Sequence, residues 1–187
     1  MNDENTAALN AKHPKMFLFH NFRSASHFIF ECGDGWYNII SAMLNQIEYH
    51  IGNNNDRFNR FAEAQDMINN GAEDQVYPYM LQQIEAIKNG NGEWPVELDY
   101  PVVQQIKEKF GTLRVYMNGL DNETTAIINM AEAMSHTTCE ECGNIGKIRA
   151  GGWVKTLCDG DEIKRQEQIA EREAQQASYL ASMVDKK

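Results

Sequence analysis

No stretch of this sequence reads as a membrane span or a secretory leader. No apolar run approaches the roughly 20 residues that a helix needs to cross a bilayer. The opening Met1-Asn2-Asp3-Glu4-Asn5 is acidic where a secretory leader is basic, so a protein retained in the cytoplasm is expected. Basic charge is scarce, with 17 Lys and Arg against 27 Asp and Glu and a net charge of −10. Such a surface repels nucleic acid and anionic membrane, and direct DNA binding is not expected. The familiar catalytic signatures are also missing. The chain has no G-x-S-x-G, no P-loop and no dinucleotide-binding glycine motif. His13, His20, His27 and His50 stand in no partnered spacing, and no Ser/His/Asp set can be argued.

What is present suits one folded domain. A chain of 187 residues buries roughly two-thirds of its unfolded surface, which is enough for a core without covalent staples. The acidic excess sits mostly in residues 1–100. It serves solubility, and it could also attract a basic partner or occupy a site meant for DNA.

The apolar pattern predicts an α+β fold, mostly helical, with a small sheet. Residues 1–12 read as a flexible arm, and residues 13–161 as a single domain. A strand is expected from about His27 to Cys32, with Phe28 and Phe30 on one face and Ile29 opposite. Gly33-Asp34-Gly35 breaks it, and Asp34 caps a helix to about His50. Trp36, Ile39, Ile40, Met43, Leu44, Ile47 and Ile51 share one face of that helix. Gly52-Asn53-Asn54-Asn55 reads as a loop, followed by a weaker helix to Asn69 and another over Pro78 to Lys88. Pro101, with Val102, Val103, Ile106 and Phe110, predicts a short helix ending at Gly111. Thr112 to Met117 alternates as a strand with Leu113, Val115 and Met117 inward. Asp121 caps a helix to Ser135 whose inward residues are Thr124, Ile127, Ile128, Ala131 and Met134. Residues 162–187 form a last helix with a thin alanine-rich stripe, a surface on which a second copy could pair.

The four cysteines are Cys32, Cys139, Cys142 and Cys158, and three of them have metal-ligand spacing. Cys139-Glu140-Glu141-Cys142-Gly143 is a zinc knuckle, in which two thiolates wrap one face of an ion. Cys158 follows at a distance typical of a zinc ribbon, within a knuckle segment 136–161. Asp161 stands where a fourth Cys or His would be, and Cys32 and His136 are the other candidates for that place. Asp159 and Glu162 also have capping-box spacing, so Asp161 could simply lie in a helix start. The expected cofactor is structural zinc bound by Cys139, Cys142, Cys158 and Asp161. A catalytic zinc would need an open position and a general base, for which adjacent Glu140 and Glu141 are weak evidence.

Lys107, Lys109 and Arg114 form the densest basic spot of an acidic chain, and Lys147, Arg149 and Lys155 surround the knuckle. With Trp153 and Tyr116 as stacking surfaces, Lys107, Lys109 and Arg114 could hold a nucleotide. They could equally be solvated side chains, with Arg114 paired to a carboxylate such as Glu108.

Four stretches carry a resemblance: Glu31–Trp36, Ile106–Tyr116 (the IKEKFGTLRVY run), Cys139–Gly143 and Gly152–Cys158. Together they resemble a widespread group of small, uncharacterised bacteriophage and prophage proteins that carry a KEKFGTLR-type motif ahead of a zinc-knuckle segment. Members of that group have His at the position of Asp161. The resemblance implies a phage accessory protein acting in the bacterial host cytoplasm. The expected function is binding of a host macromolecule, in host takeover or counter-defence, without catalysis. Alternatives are a protein that binds or sequesters a small nucleotide, and a metal-dependent nuclease.

Overall fold

The computed structural model describes residues 1–17 and 29–184. The strand expected from His27 therefore lies partly outside the described residues; within them it is the short β1, Phe30–Glu31, with Ile29 and Phe30 buried. β1 pairs in parallel with β2 (Val102–Lys109), and β2 pairs antiparallel with β3 (Thr112–Asn118). Helix α1 is Asp3–Lys12, α2 is Tyr37–Asn69, α3 is Pro78–Lys88 and α4 is Asn122–Ser135. A second, two-stranded sheet of β4 (Lys147–Arg149) and β5 (Lys155–Leu157) precedes α5, Asp159–Val184. The architecture is α+β and mostly helical.

The main core lies between the three-stranded sheet and helices α2 and α4. Trp36, Ile40, Leu44, Ile47, Ile106 and Leu113 are among its fully buried large side chains, with Leu9 of α1 against them. Helix α4 is capped by Asp121, whose carboxylate accepts from Thr124 N at 2.7 Å. Its buried side chains are Thr124, Ile128, Ala131 and Ser135, whereas Met134 is exposed. The Ser135 hydroxyl accepts from Leu113 N at 2.9 Å, so the small residue lies against the strand and Met134 turns outward.

Three expectations from the sequence are corrected. Residues 1–12 are not a free arm. Asn2 caps α1, and the Asp34 carboxylate accepts from Asn2 N at 2.8 Å and Asn5 Nδ2 at 3.1 Å. Helix α2 does not stop at Gly52. It runs 33 residues, about 50 Å, and carries a second small core of Phe61, Ala64, Val76, Met80 and Ile84 with α3. The asparagines that suggest a loop grip a passing chain instead: Asn54 Nδ2 donates to Val96 O at 2.7 Å, and Asn55 exchanges two bonds with Leu98. Side-chain amides engaged in this way do not compete for their own backbone.

The third correction is β2, expected as a helix. An irregularity between Val103 and Gln105 shifts the strand register. It places Val103 and Ile106, three residues apart, on the same core face, and so imitates a helical period in the sequence. The β2–β3 connection is a two-residue turn in which Phe110 (φ 54°) and Gly111 (φ 79°) are both left-handed. Glycine adopts this conformation freely, but for Phe110 it costs about 1–2 kcal/mol.

Candidate metal centre

The knuckle is pressed onto the body of the protein by backbone contacts. Gly35 N donates to Glu140 O at 2.8 Å, and Gly33 N donates to the Glu140 carboxylate at 3.0 Å. The Trp36 indole donates to Thr138 O at 2.8 Å. There is no room for a side chain in this contact. A Cβ on Gly35 would lie 2.2 Å from Cys139 O, and one on Gly33 would lie 2.3 Å from Glu140 O. On the other side Glu140 N donates to Thr156 O, and the Thr156 hydroxyl donates to Gly111 O at 2.6 Å. The four stretches singled out in the sequence thus converge in space. Gly33–Trp36 and the Phe110–Gly111 turn form the seat on which the two halves of the knuckle rest.

Cys139, Cys142, Cys158 and Asp161 come together with each pair of ligand atoms within 4.8 Å. No disulfide joins the cysteines. The Cys142 and Cys158 sulfurs are 3.7 Å apart, and Asp161 Oδ2 lies 3.3 Å from Cys139 Sγ and 3.2 Å from Cys158 Sγ. A tetrahedral ion with metal–sulfur bonds of about 2.3 Å and a metal–oxygen bond of about 2.0 Å needs edges of about 3.8 and 3.5 Å. The four donors are therefore spaced to hold one metal ion with little movement. Cys32 and His136 are not among them. Cys32 is buried beside β1, where loss of solvation pushes its thiol up to about 12 and keeps it a neutral core side chain. His136 is exposed at the C-cap of α4.

The surroundings of the donors suit an anionic cluster. Helix α5 begins one residue after Cys158, and Asp161 N donates to Cys158 Sγ at 3.3 Å. The sulfur occupies the place of a helix cap, so the expected capping box of Asp159 and Glu162 does not form. Asp159 instead pairs with Lys147 and Arg149, and Glu162 with Arg165. Asn144 Nδ2 donates to Cys142 Sγ at 3.3 Å. Asp161 turns Oδ2 to the thiols and gives Oδ1 to Lys164 Nζ at 2.8 Å. Hydrogen bonds from Cys142, from Lys164 and from the other two thiols hold the Asp161 carboxyl far below the usual carboxylate range. A divalent ion with three thiolates and a carboxylate carries surplus negative charge, which Lys164 and the N-terminus of α5 oppose. Sequence reasoning did not find Lys164 or Asn144, although Lys164 stands one helical turn from Asp161.

Glu140 faces inward rather than toward the donors. It is buried, accepts from Gly33 N and lies 3.7 Å from Lys155 Nζ; loss of solvation pushes its carboxyl up. Glu141 pairs with Lys155 at 2.7 Å. Neither carboxylate stands free as a general base.

The expected ligand residues are brought together in part. Lys107, Lys109 and Trp153 line one cleft beside Phe110, Gly152 and Val154. Arg114 is paired with Lys107 across the strands but is committed to Glu132 at 3.6 Å and to Leu113 O, not to Glu108. Glu108 has a role the sequence did not suggest. One carboxylate oxygen accepts from Gly111 N at 2.6 Å and the other from the Trp153 indole at 3.1 Å.

Among the described residues, no helix is long and apolar enough to cross a membrane. No family model matches the chain, and no curated protein or solved structure does either.

Proposed function

We propose that this is a non-catalytic binding protein in which zinc at Cys139, Cys142, Cys158 and Asp161 serves the fold. On this reading it is a phage accessory protein that engages a host macromolecule in the bacterial cytoplasm. The thiolate-rich donor set favours zinc over harder ions. Four protein donors fill a tetrahedral shell and leave no position for substrate water, which argues against a hydrolytic metal and for a structural one. The sequence resemblance supplies the phage setting.

The observation that carries the binding role is the acidic end of the molecule. Asp56, Glu63, Asp66, Glu73, Asp74 and Glu85 are all exposed there, and among the described residues none has an ion-pair partner. Tyr77 and Tyr79 stack at 6.0 Å on the same end, with rings more than half exposed. These acids outnumber the exposed Arg57, Arg60 and Lys88 of the same segment two to one. An acidic excess beside exposed tyrosines suits a basic protein surface, since aromatic anchors and complementary charge are what interfaces use. The partner is a host protein with a basic face.

Affinity capture from bacterial lysate, compared between the native chain and a Glu63→Lys/Asp66→Lys/Glu73→Lys variant, tests this. A stoichiometric partner retained by the native chain and lost by the variant is expected. No such partner, or one indifferent to the reversal, would refute the reading.

A further inference from the structure

We infer that the cleft between the β2–β3 turn and residues 152–154 is a binding site for a single purine nucleotide. Its volume of about 590 Å³ falls in the range of small-ligand pockets. Two aromatic rings flank it with little cover of their own: Phe110 is 74% and Trp153 67% exposed. In a soluble protein, two large rings presented together at one cleft need a reason that folding does not supply.

The Trp153 ring and the backbone that carries Phe110 are held rather than loose. Glu108 ties the turn carrying Phe110 to the Trp153 indole, one oxygen to each. Arg165 binds the Trp153 carbonyl, and Thr156 and Val154 close on Gly111. Two aromatic rings on a fixed base suit stacking of a planar ligand, and a purine offers the larger face.

The charge of the cleft specifies the other half of the ligand. Between residues 101 and 165, Arg114, Lys147, Arg149, Lys155, Lys164 and Arg165 all have carboxylate partners. Lys107 and Lys109 have none among the described residues; their ammonium groups lie over the rings of Tyr116 and Phe110, at 5.2 and 5.6 Å. Glu108 between them has both oxygens engaged. Two unpaired ammonium groups match one or two phosphates. A longer polyanion would meet the field of a chain with net charge −10, so the charge balance selects a mononucleotide over a nucleic-acid strand.

Isothermal titration of the full chain with ADP, GDP, adenosine, inorganic phosphate and a single-stranded RNA octamer tests the inference. ADP or GDP is expected to bind below millimolar, with adenosine and phosphate each at least about tenfold weaker, since stacking and charge act together. Trp153→Ala, at an exposed position, and Lys107→Gln/Lys109→Gln, at a half-buried and an exposed one, should each weaken nucleotide binding by about tenfold or more while the melting temperature holds. No heat with any nucleotide at millimolar concentration would overturn the proposal. So would binding unchanged in both variants, or the octamer binding more tightly than every mononucleotide.

Discussion

The two ends of this molecule treat charge in opposite ways. Around the knuckle, acids and bases are matched: Asp159 with Lys147 and Arg149, Glu141 with Lys155, Asp161 with Lys164 and Glu162 with Arg165. At the far half of α2 and on α3, the carboxylates stand unpaired in solvent around a core of only five buried side chains. The knuckle end uses its polar groups to fix a geometry. The acidic end leaves them available, at the cost of mutual repulsion, and such repulsion persists in a fold when a partner relieves it or solubility demands it.

The largest effect expected from breaking this contrast is at the donors. Cys139→Ser, Cys142→Ser or Cys158→Ser should abolish metal retention. Because metal binding is coupled to folding, the melting temperature should fall by roughly 10 °C or more, with new proteolysis between residues 136 and 161. Asp161→Ala should weaken metal retention strongly, and Asp161→His should restore or tighten it. If Asp161 acted only in the helix start, the alanine change would cost about 1 kcal/mol and leave the metal content alone.

A change of comparable chemistry at the acidic end should behave differently. Phe61→Ala removes the centre of the small core and should cost about 3 kcal/mol. Hydrogen exchange should quicken in α3, while metal content and protection around residues 139–161 stay as they were. Loss of metal in that variant would mean that the two ends are one cooperative unit.

Gly35→Ala sharpens the comparison from the other side. Its Cβ would meet the Cys139 carbonyl, so the knuckle must lift from its seat at about 2–3 kcal/mol, and metal affinity should drop without loss of a donor. A thermal melt paired with a chelator competition measures both.

The smallest effect concerns α1. Hydrogen bonds, that from Asn2 N foremost, hold the Asp34 carboxyl below its usual range. The stabilisation is therefore complete above the unfolded value near 3.8 and is lost as pH falls through the lower folded value. The site is largely solvated, so Asp34→Asn at neutral pH should cost no more than about 0.5–1 kcal/mol, seen as faster exchange in α1 alone.

The sequence was most readable where local chemistry and tertiary structure agree. Helix α3 begins at its N1 proline and ends before Asn89-Gly90, β3 alternates, and α4 starts at its Asp121 cap. The cysteine spacing brought three donors and Asp161 to one place. It was misleading where a distant partner decides the local structure. Asn54 and Asn55 look like loop residues until the 96–98 segment occupies their amides. The register shift in β2 gives a strand the period of a helix. The 1–12 segment is polar, and what fixes it lies far along the chain: the core around Leu9, the Asp34 carboxylate and the Cys32 carbonyl that accepts from the Met1 amino group. Glu108 and Lys164 carry no signature at all, because an ordinary charged residue acquires its role from what the fold places beside it.

Elemental analysis of the native chain, purified without chelator, is the most direct test of the account's central claim. About one zinc per chain, lost in Cys139→Ser, is the predicted result. A native protein that is folded and free of bound metal would contradict it, and would leave Cys139, Cys142, Cys158 and Asp161 as a cluster held by hydrogen bonds alone.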